Sequence, residues 1–354
     1  MRLVPCRVAS DDEGTSHSIS FSIGPDDLRE VNDDAVEAFD AALAGAGTGE
    51  VNHFIDPQRL QSFEAGGPPV WSVATVPTDG GVLYLTYGFS EAVDPGRVGA
   101  DFELSILVPG EPTMWAPLLL RSLCRYMLGS RRPLEPGQSM PFPDAITRFF
   151  APPPERENYP RTGLNAAIFA VDPRLPAIET PRGTVEVRRV VGLYEVERQL
   201  LDLWSAQGFL GTAATRDPNL ATILDRTPFT EDPQFVATIR EGSRREGSQV
   251  SYVAVPGVAW GQDEHEALHV QVPGGAHARQ IHSMVKARLP FGRHLLVHDL
   301  DPEQTDAVAF EPGDAVAFRA EGSTLVMTVP ADHPLFDSLL QADDAPTVTW
   351  KFGG

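Results

Sequence analysis

The paired β-rich runs VWSVATV and GVLYLTYGFS, separated by PTDGG, constrain the fold more than any other stretch of this chain. The separating cluster contains an Asp-Gly step that can adopt positive φ, so the two runs predict an antiparallel hairpin. A third strand is predicted at DFELSILV, where Phe102, Leu104, Ile106 and Val108 alternate with Glu103 and Ser105, which face the other way. Helical spacing takes over in MWAPLLLRSLCRYML, with Trp115 at its start and Pro117 in the first turn, where proline is tolerated. A shorter amphipathic helix from Asp33 carries Val36, Phe39 and Leu43 on one face.

Further along, LNAAIFAVD and TVEVRRVVG predict a strand pair. The run YEVERQLLDLWSAQGFLG predicts one helix with Val196, Leu200, Leu203 and Trp204 on one face and Gly208 near its end. Glycine, serine and charge then concentrate in EGSRREGSQ, residues 241–249, between the helix-like FVATIRE and a new strand, VSYVAV. Beyond it come the strand ALHVQV and a helix from Ala276 to Leu289 carrying Ile281, Met284, Val285 and Leu289. The strands HLLVHDL, AVAF, DAVAF and TLVMTV follow. At 354 residues the chain exceeds the roughly 250–300 at which one hydrophobic core stops growing. The expected architecture is α+β in two lobes, each a mixed β-sheet packed with helices. Residues 28–240 form the first lobe, 241–249 the link and 250–354 the second. Residues 1–27 are a variable segment with an edge strand around Ser18 to Ile23.

The formal net charge of −21 disfavours phosphate backbones and anionic lipid and favours encounter with a basic partner. No direct nucleic-acid or membrane binding is expected. The start of the chain lacks the continuous apolar run of a signal peptide, and no segment approaches the roughly 20 apolar residues of a membrane span, so a cytoplasmic location is expected. Two cysteines, Cys6 and Cys124, support neither a disulfide framework nor a cysteine metal site, and no cofactor is expected.

The nearest approach to a catalytic motif is His265-Glu266-Ala267-Leu268-His269, which matches the HExxH of zinc peptidases. That chemistry needs both histidines one helical turn apart on a single Zn²⁺, with the glutamate as general base. Here Leu268, Val270 and Val272 alternate and Pro273 follows, which predicts a strand. Residues four apart on a strand are separated by about 13 Å, too far to share one metal. The SxxK spacing of Ser283 and Lys286 lacks the partner motifs of a serine acyl-enzyme and reads as a helix face. No GxSxG, Walker loop or GxGxxG is present.

From YLTYGFSEA through FELSILVPGEPTMWAPLLLRSLCRYML, the chain resembles the suppressor-of-fused family. Tyr84, Gly88, Ser90, Phe102, Glu103, Leu104, Trp115, Leu123, Arg125 and Tyr126 follow its pattern in order and spacing. Thr180, Pro181, Gly183, Gly192, Trp204 and Gly208 continue it, as do EGSQVSYVAV, EALHV and ARLPFGRHLLV in the second lobe. The likeness runs from about residue 80 to residue 330, which makes the proline patch at 152–160 a loop of the first lobe. The long acidic insertion of the animal proteins is missing, as in a compact bacterial relative.

The resemblance implies a non-enzymatic protein that clamps an extended partner segment between its two lobes, where the segment adds as a strand. Its contact residues would be Tyr84 and Asp94 in the first lobe, and Val253, Val255, Glu266 and Val270 in the second. Two departures, Tyr252 in place of a family glycine and Pro95-Gly96 after Ser90, imply a different peptide preference. For bacterial members the resemblance implies an immunity protein that neutralises a polymorphic toxin, and the acidic balance suits a basic toxin domain. The alternatives are an adaptor that sequesters a host regulator and, through His265, Glu266 and His269, a zinc metallopeptidase.

Overall fold

The computed structural model describes residues 33–54, 72–87, 89–90, 102–130, 134–181, 183–264, 266–301, 303–341 and 345–352. The expected edge strand at Ser18 to Ile23 lies outside them. The chain forms two compact units, one of Met1–Glu195 with Ala213–Thr227, the other of Val196–Thr212 with Pro228–Gly354.

The first unit contains α1 (Asp33–Ala46), β1 (Asn52–Phe54), β2 (Ser72–Thr78), β3 (Gly81–Tyr87), β4 (Phe102–Val108), α2 (Trp115–Ser130), β5 (Ser139–Pro141), β6 (Ala166–Val171), β7 (Ala177–Thr180) and β8 (Gly183–Leu193). Its sheet runs β1-β2-β3-β4-β8-β6-β5, with β7 on β8. It is mixed, because β4 and β8 pair in parallel while the other pairs are antiparallel. The predicted hairpin is β2–β3, closed where Thr78 pairs with Gly81. Positive φ falls on Gly81, at 129°, one residue after the Asp-Gly step. A Cβ there would stand 2.2 Å from the Val108 carbonyl oxygen, so glycine is required by the neighbouring strand as well as by the turn.

Both faces of this sheet are covered. Leu104, Ile106 and Tyr84 share a core with Trp115, Leu119 and Leu123 of α2. Leu83, Leu85 and Leu107 share another with Phe39 and Leu43 of α1. Glu103 and Ser105, the polar alternates of β4, are consequently buried. Burial of a carboxylate requires partners. Glu103 accepts from Thr86 Oγ1 at 2.5 Å and from the Ser90 amide and hydroxyl at 2.8 and 2.7 Å. Ser105 donates to Asp172, which also holds the buried Arg189.

The second unit opens on α3 (Glu195–Asp202) and α4 (Ala206–Ala214), whose outer ends at Glu195 and from Ala213 belong to the first unit, and these are two helices where periodicity predicts one. The break lies at Trp204, whose ring fits against two glycines. A Cβ on Gly208 would stand 2.5 Å from it and one on Gly242 2.2 Å. Val196, expected on the buried face, is 50% exposed. Helix α5 (Pro233–Glu246) is capped by Asp232, whose carboxylate accepts from the Gln234 and Phe235 amides. It takes in residues 241–246, so most of the stretch that composition marks as a link is helix, and Gly242 is small because Trp204 packs on it. The helix ends at Gly247, with φ 70°.

Next come β9 (Tyr252–Val255), β10 (Ala259–Gln262), β11 (Leu268–Pro273), α6 (Gly275–Arg288), β12 (Leu295–Asp299), β13 (Ala307–Pro312), β14 (Ala317–Glu321), β15 (Thr324–Val329), α7 (Asp337–Leu340) and β16 (Thr347–Phe352). They form a mixed sheet in the order β14-β15-β13-β12-β9 and a three-stranded antiparallel sheet β10-β11-β16. One core joins both sheets to α6, with Val253, Val270, Ile281, Met284, Phe310 and Trp350 among its members. The second sheet has no counterpart in the sequence reading, which leaves β10 and β16 unassigned. Each is short, and their register comes from pairing with β11.

Candidate functional site

Strand β9 lies at the end of the five-stranded sheet, paired in parallel with β12 alone among the described residues. The Ser251 and Val255 carbonyls accept from the Leu296 and Leu300 amides at 2.9 and 3.1 Å. Backbone direction alternates along a strand, so Val253 and Val255 bond toward β12 while the amides and carbonyls of Tyr252 and Ala254 face the open edge. Such an edge is a template for another strand.

The two ends of β9 are fixed by buried charges. Before it, Arg288 donates from Nη1 to the Ser248 and Val250 carbonyls at 2.9 and 2.7 Å, and from Nε to the His294 carbonyl at 2.6 Å. Arg293 adds a bond to the Ser248 carbonyl at 2.8 Å. Burial, and secondarily the charge of Arg293, pulls the Arg288 pKa down. After β9, Asp299 Oδ2 accepts from the Gly257 and Val258 amides at 2.7 and 3.0 Å, and Oδ1 from the Asp301 amide at 2.8 Å. Burial raises this carboxyl's pKa, but the three amides together outweigh it and hold it below the usual range. The edge is therefore held in extended form, which reduces the ordering cost of adding a strand.

Side chains on β9 divide by face. Val253 and Val255 turn into the core. Tyr252 is 56% exposed, and its ring lies 5.7 Å from that of His298 on β12. Leu300, just past β12, is also exposed. The edge strand itself therefore carries one exposed aromatic, Tyr252, with His298 packed beside it from β12.

The remaining residues expected at the site are placed as follows. Tyr84 is buried on β3, an interior strand, and its hydroxyl accepts from the Thr113 amide at 2.6 Å. Asp94 lies outside the described residues. Val270 is buried on β11, the middle strand of its sheet, paired with Trp260 and Trp350. Glu266 is exposed in the turn before β11, with φ 61°, its amide donating to the Asp263 carbonyl at 3.0 Å. Val253, Val255 and Val270 thus share one core, while Tyr84 belongs to the core of the other unit.

The HExxH segment is also resolved by this turn. His265 lies outside the described residues, Glu266 has left-handed backbone and His269 is on β11. No helix presents these residues on one face. His269 Nε2 instead meets Asp263 Oδ2 at 2.7 Å. Among the described residues no group of three metal-ligating side chains forms, and no helix is long and apolar enough to cross a membrane.

Residue-by-residue reading missed Tyr252 as an edge residue and missed Arg288, His298 and Asp299 altogether. The only signal for them was local. Arg288 and Arg293 flank Gly292 in ARLPFGRHLLV, and Asp299 ends the apolar run HLLVHDL. Neither pattern reveals that both ends meet the same strand.

Three comparisons bear on this arrangement. The family model for the suppressor of fused protein matches residues 67–227. The curated human (Homo sapiens) protein Suppressor of fused homolog is 24% identical over 198 residues, which make up 50% of this chain and 38% of the human protein. The chain's match therefore spans well under half of that relative's length. The crystal structure of Drosophila Suppressor of Fused superposes with a TM-score of 0.63 at 15% identity, covering 88% of this chain and 92% of that one. At that identity the likeness establishes the fold, which is the mixed α+β architecture expected from the sequence.

Proposed function

Residues 67–227 belong to the suppressor of fused family, and from that premise we propose that the chain is a non-catalytic binding protein that takes an extended partner segment along the free edge of β9. The observation that carries this reading is the pair of outward-facing residues, Tyr252 and Ala254, on a strand whose other residues are bonded to β12.

Those two residues offer four backbone groups to a partner. At about 0.5–1.5 kcal/mol net for each bond, they contribute about 2–6 kcal/mol. A micromolar complex needs about 8 kcal/mol. Side chains must supply the difference, and Tyr252, on the edge strand with His298 packed against it, is positioned to do so. In this reading Val253, Val255 and Val270 support the site from the core, and Glu266 offers an exposed carboxylate. Tyr84 supports the first unit in the same manner, and Asp94 remains a proposed contact.

We assign the partner to a basic toxin domain, with this chain as its cytoplasmic immunity protein. The net charge of −21 supports that assignment by accelerating encounter with a basic surface. Co-expression with a basic toxin domain that this chain recognises should rescue growth and give a complex on gel filtration. Absence of both refutes the assignment. Ala254→Pro removes an outward amide without breaking a bond to β12, so it should abolish the complex while preserving the melting temperature. A complex that survives this substitution removes the interface from β9.

A further inference from the structure

The proline patch builds a feature unrelated to β9. Residues Pro153–Asn158 form a 3-10 helix started by consecutive prolines, whose fixed φ makes the turn stiff. It carries Glu155, Arg156 and Glu157. The Glu157 carboxylate bridges two guanidinium groups, accepting from Arg148 Nη2 at Oε1 and from Arg161 Nη2 at Oε2, each at 2.9 Å. These two arginines hold the Glu157 pKa below the usual carboxylate range.

Both arginines also line a cavity of about 370 Å³, together with Phe142, Asp144, Thr162 and Asn165. That volume lies within the range of small-molecule sites. Arg148 is fixed there, with a side chain only 12% exposed and Nε donating to the Arg156 carbonyl at 3.0 Å. Arg156 in turn pairs with Asp144 at 3.3 Å. One wall is apolar, where Phe142 stacks on Phe149 with ring centres 4.3 Å apart. Asn165 also lines the cavity, its Oδ1 accepting from the Glu195 amide at 2.9 Å. With Glu155 on the same turn, the three guanidinium groups of Arg148, Arg156 and Arg161 meet three carboxylates, so the cluster is charge-balanced in a chain of net charge −21.

We propose that this cavity binds a small organic anion, whose carboxylate or phosphate takes the seat between Arg148 and Arg161 that Glu157 occupies in the unliganded chain. The planar forks of two arginines suit either group. Glu157 is 67% exposed on a surface turn, so its pairs are weakly held and its carboxylate can rotate into water. The chain's own carboxylate is then a competitor, and removing its charge should strengthen binding.

The test is calorimetric titration of the full chain and its variants with succinate and, separately, inorganic phosphate. Glu157→Gln should bind at least one of them ten times more tightly than the parent, and the preferred anion identifies the group recognised. Adding Arg161→Gln should abolish that binding without altering the melting temperature, because the Arg161 side chain is 77% exposed. Adding Arg161→Lys in its place should leave weakened binding, since charge is kept and the fork lost. No saturable binding of either anion to Glu157→Gln overturns the proposal. So does equal affinity of the parent, or binding undiminished by Arg161→Gln.

Discussion

Replacing Asp172 with alanine removes the carboxylate that neutralises a fully buried arginine. Asp172 Oδ2 accepts from Arg189 Nε and Nη2 at 2.9 and 2.7 Å and from the Ser105 hydroxyl. Its Oδ1 accepts from the Arg174 and Leu175 amides, both at 2.8 Å. Neither charged side chain is accessible to water. Burial lowers the Arg189 pKa and the charge of Asp172 opposes that shift. Without Asp172 the guanidinium keeps, among the described residues, the Ser105 hydroxyl and the Asn219 carbonyl, at 3.1 and 2.8 Å. Breaking a buried pair on one side costs about 3–5 kcal/mol, because the surviving charge stays buried. For a unit of this size 1 kcal/mol corresponds to about 2–4 °C, so Asp172→Ala should lower the melting of the first unit by about 6–20 °C. Differential scanning calorimetry measures this directly. The companion variant Asp172→Leu with Arg189→Met removes both charges and should regain most of the loss. A shift below about 4 °C in the single variant, or a double variant no more stable than the single, refutes the reasoning.

Two further outcomes follow from the second unit. Gly242→Ala places a Cβ 2.2–2.5 Å from the Trp204 ring, and overpacking of about 1–3 kcal/mol should exceed the gain of about 1 kcal/mol in helix propensity. The second unit should melt at lower temperature with altered Trp204 fluorescence, whereas a raised melting temperature contradicts the packing argument. Asp299 has a folded pKa below its unfolded one, so its contribution is present above about pH 4 and is lost as pH falls through the folded value. Parent and Asp299→Asn should therefore differ in urea midpoint at pH 6 and converge at acid pH. A constant difference across that range contradicts the assignment.

Much of the fold was legible in local sequence. The β2–β3 hairpin, β4, α2, α6 and β15 match the predicted spans closely because each needs only its own alternation or helical period and its own turn residues. The resemblance carried by Tyr84, Phe102, Trp115 and their neighbours agrees with the family model that matches residues 67–227. Residue roles were harder to read. The alternation in FELSILV separates Leu104 from Glu103, but it cannot say that α1 covers the second face and buries that glutamate. The break at Trp204 likewise depends on Gly242, 38 residues away, which locally looks like part of a linker.

The candidate site divides in the same way. VSYVAV by itself determines that residues near 252–255 form a strand, and the HExxH segment by itself favours a strand over a zinc-binding helix. Only the tertiary structure decides that, among the described residues, β9 ends its sheet, that Val253 and Val255 turn inward and that Tyr252 and Ala254 face away from β12. Strand formation is set by neighbouring residues, whereas an unpaired edge is a property of sheet order. That order arises from non-local pairing with β12 and from Arg288 and Asp299, which meet the two ends of β9 only after the chain has folded.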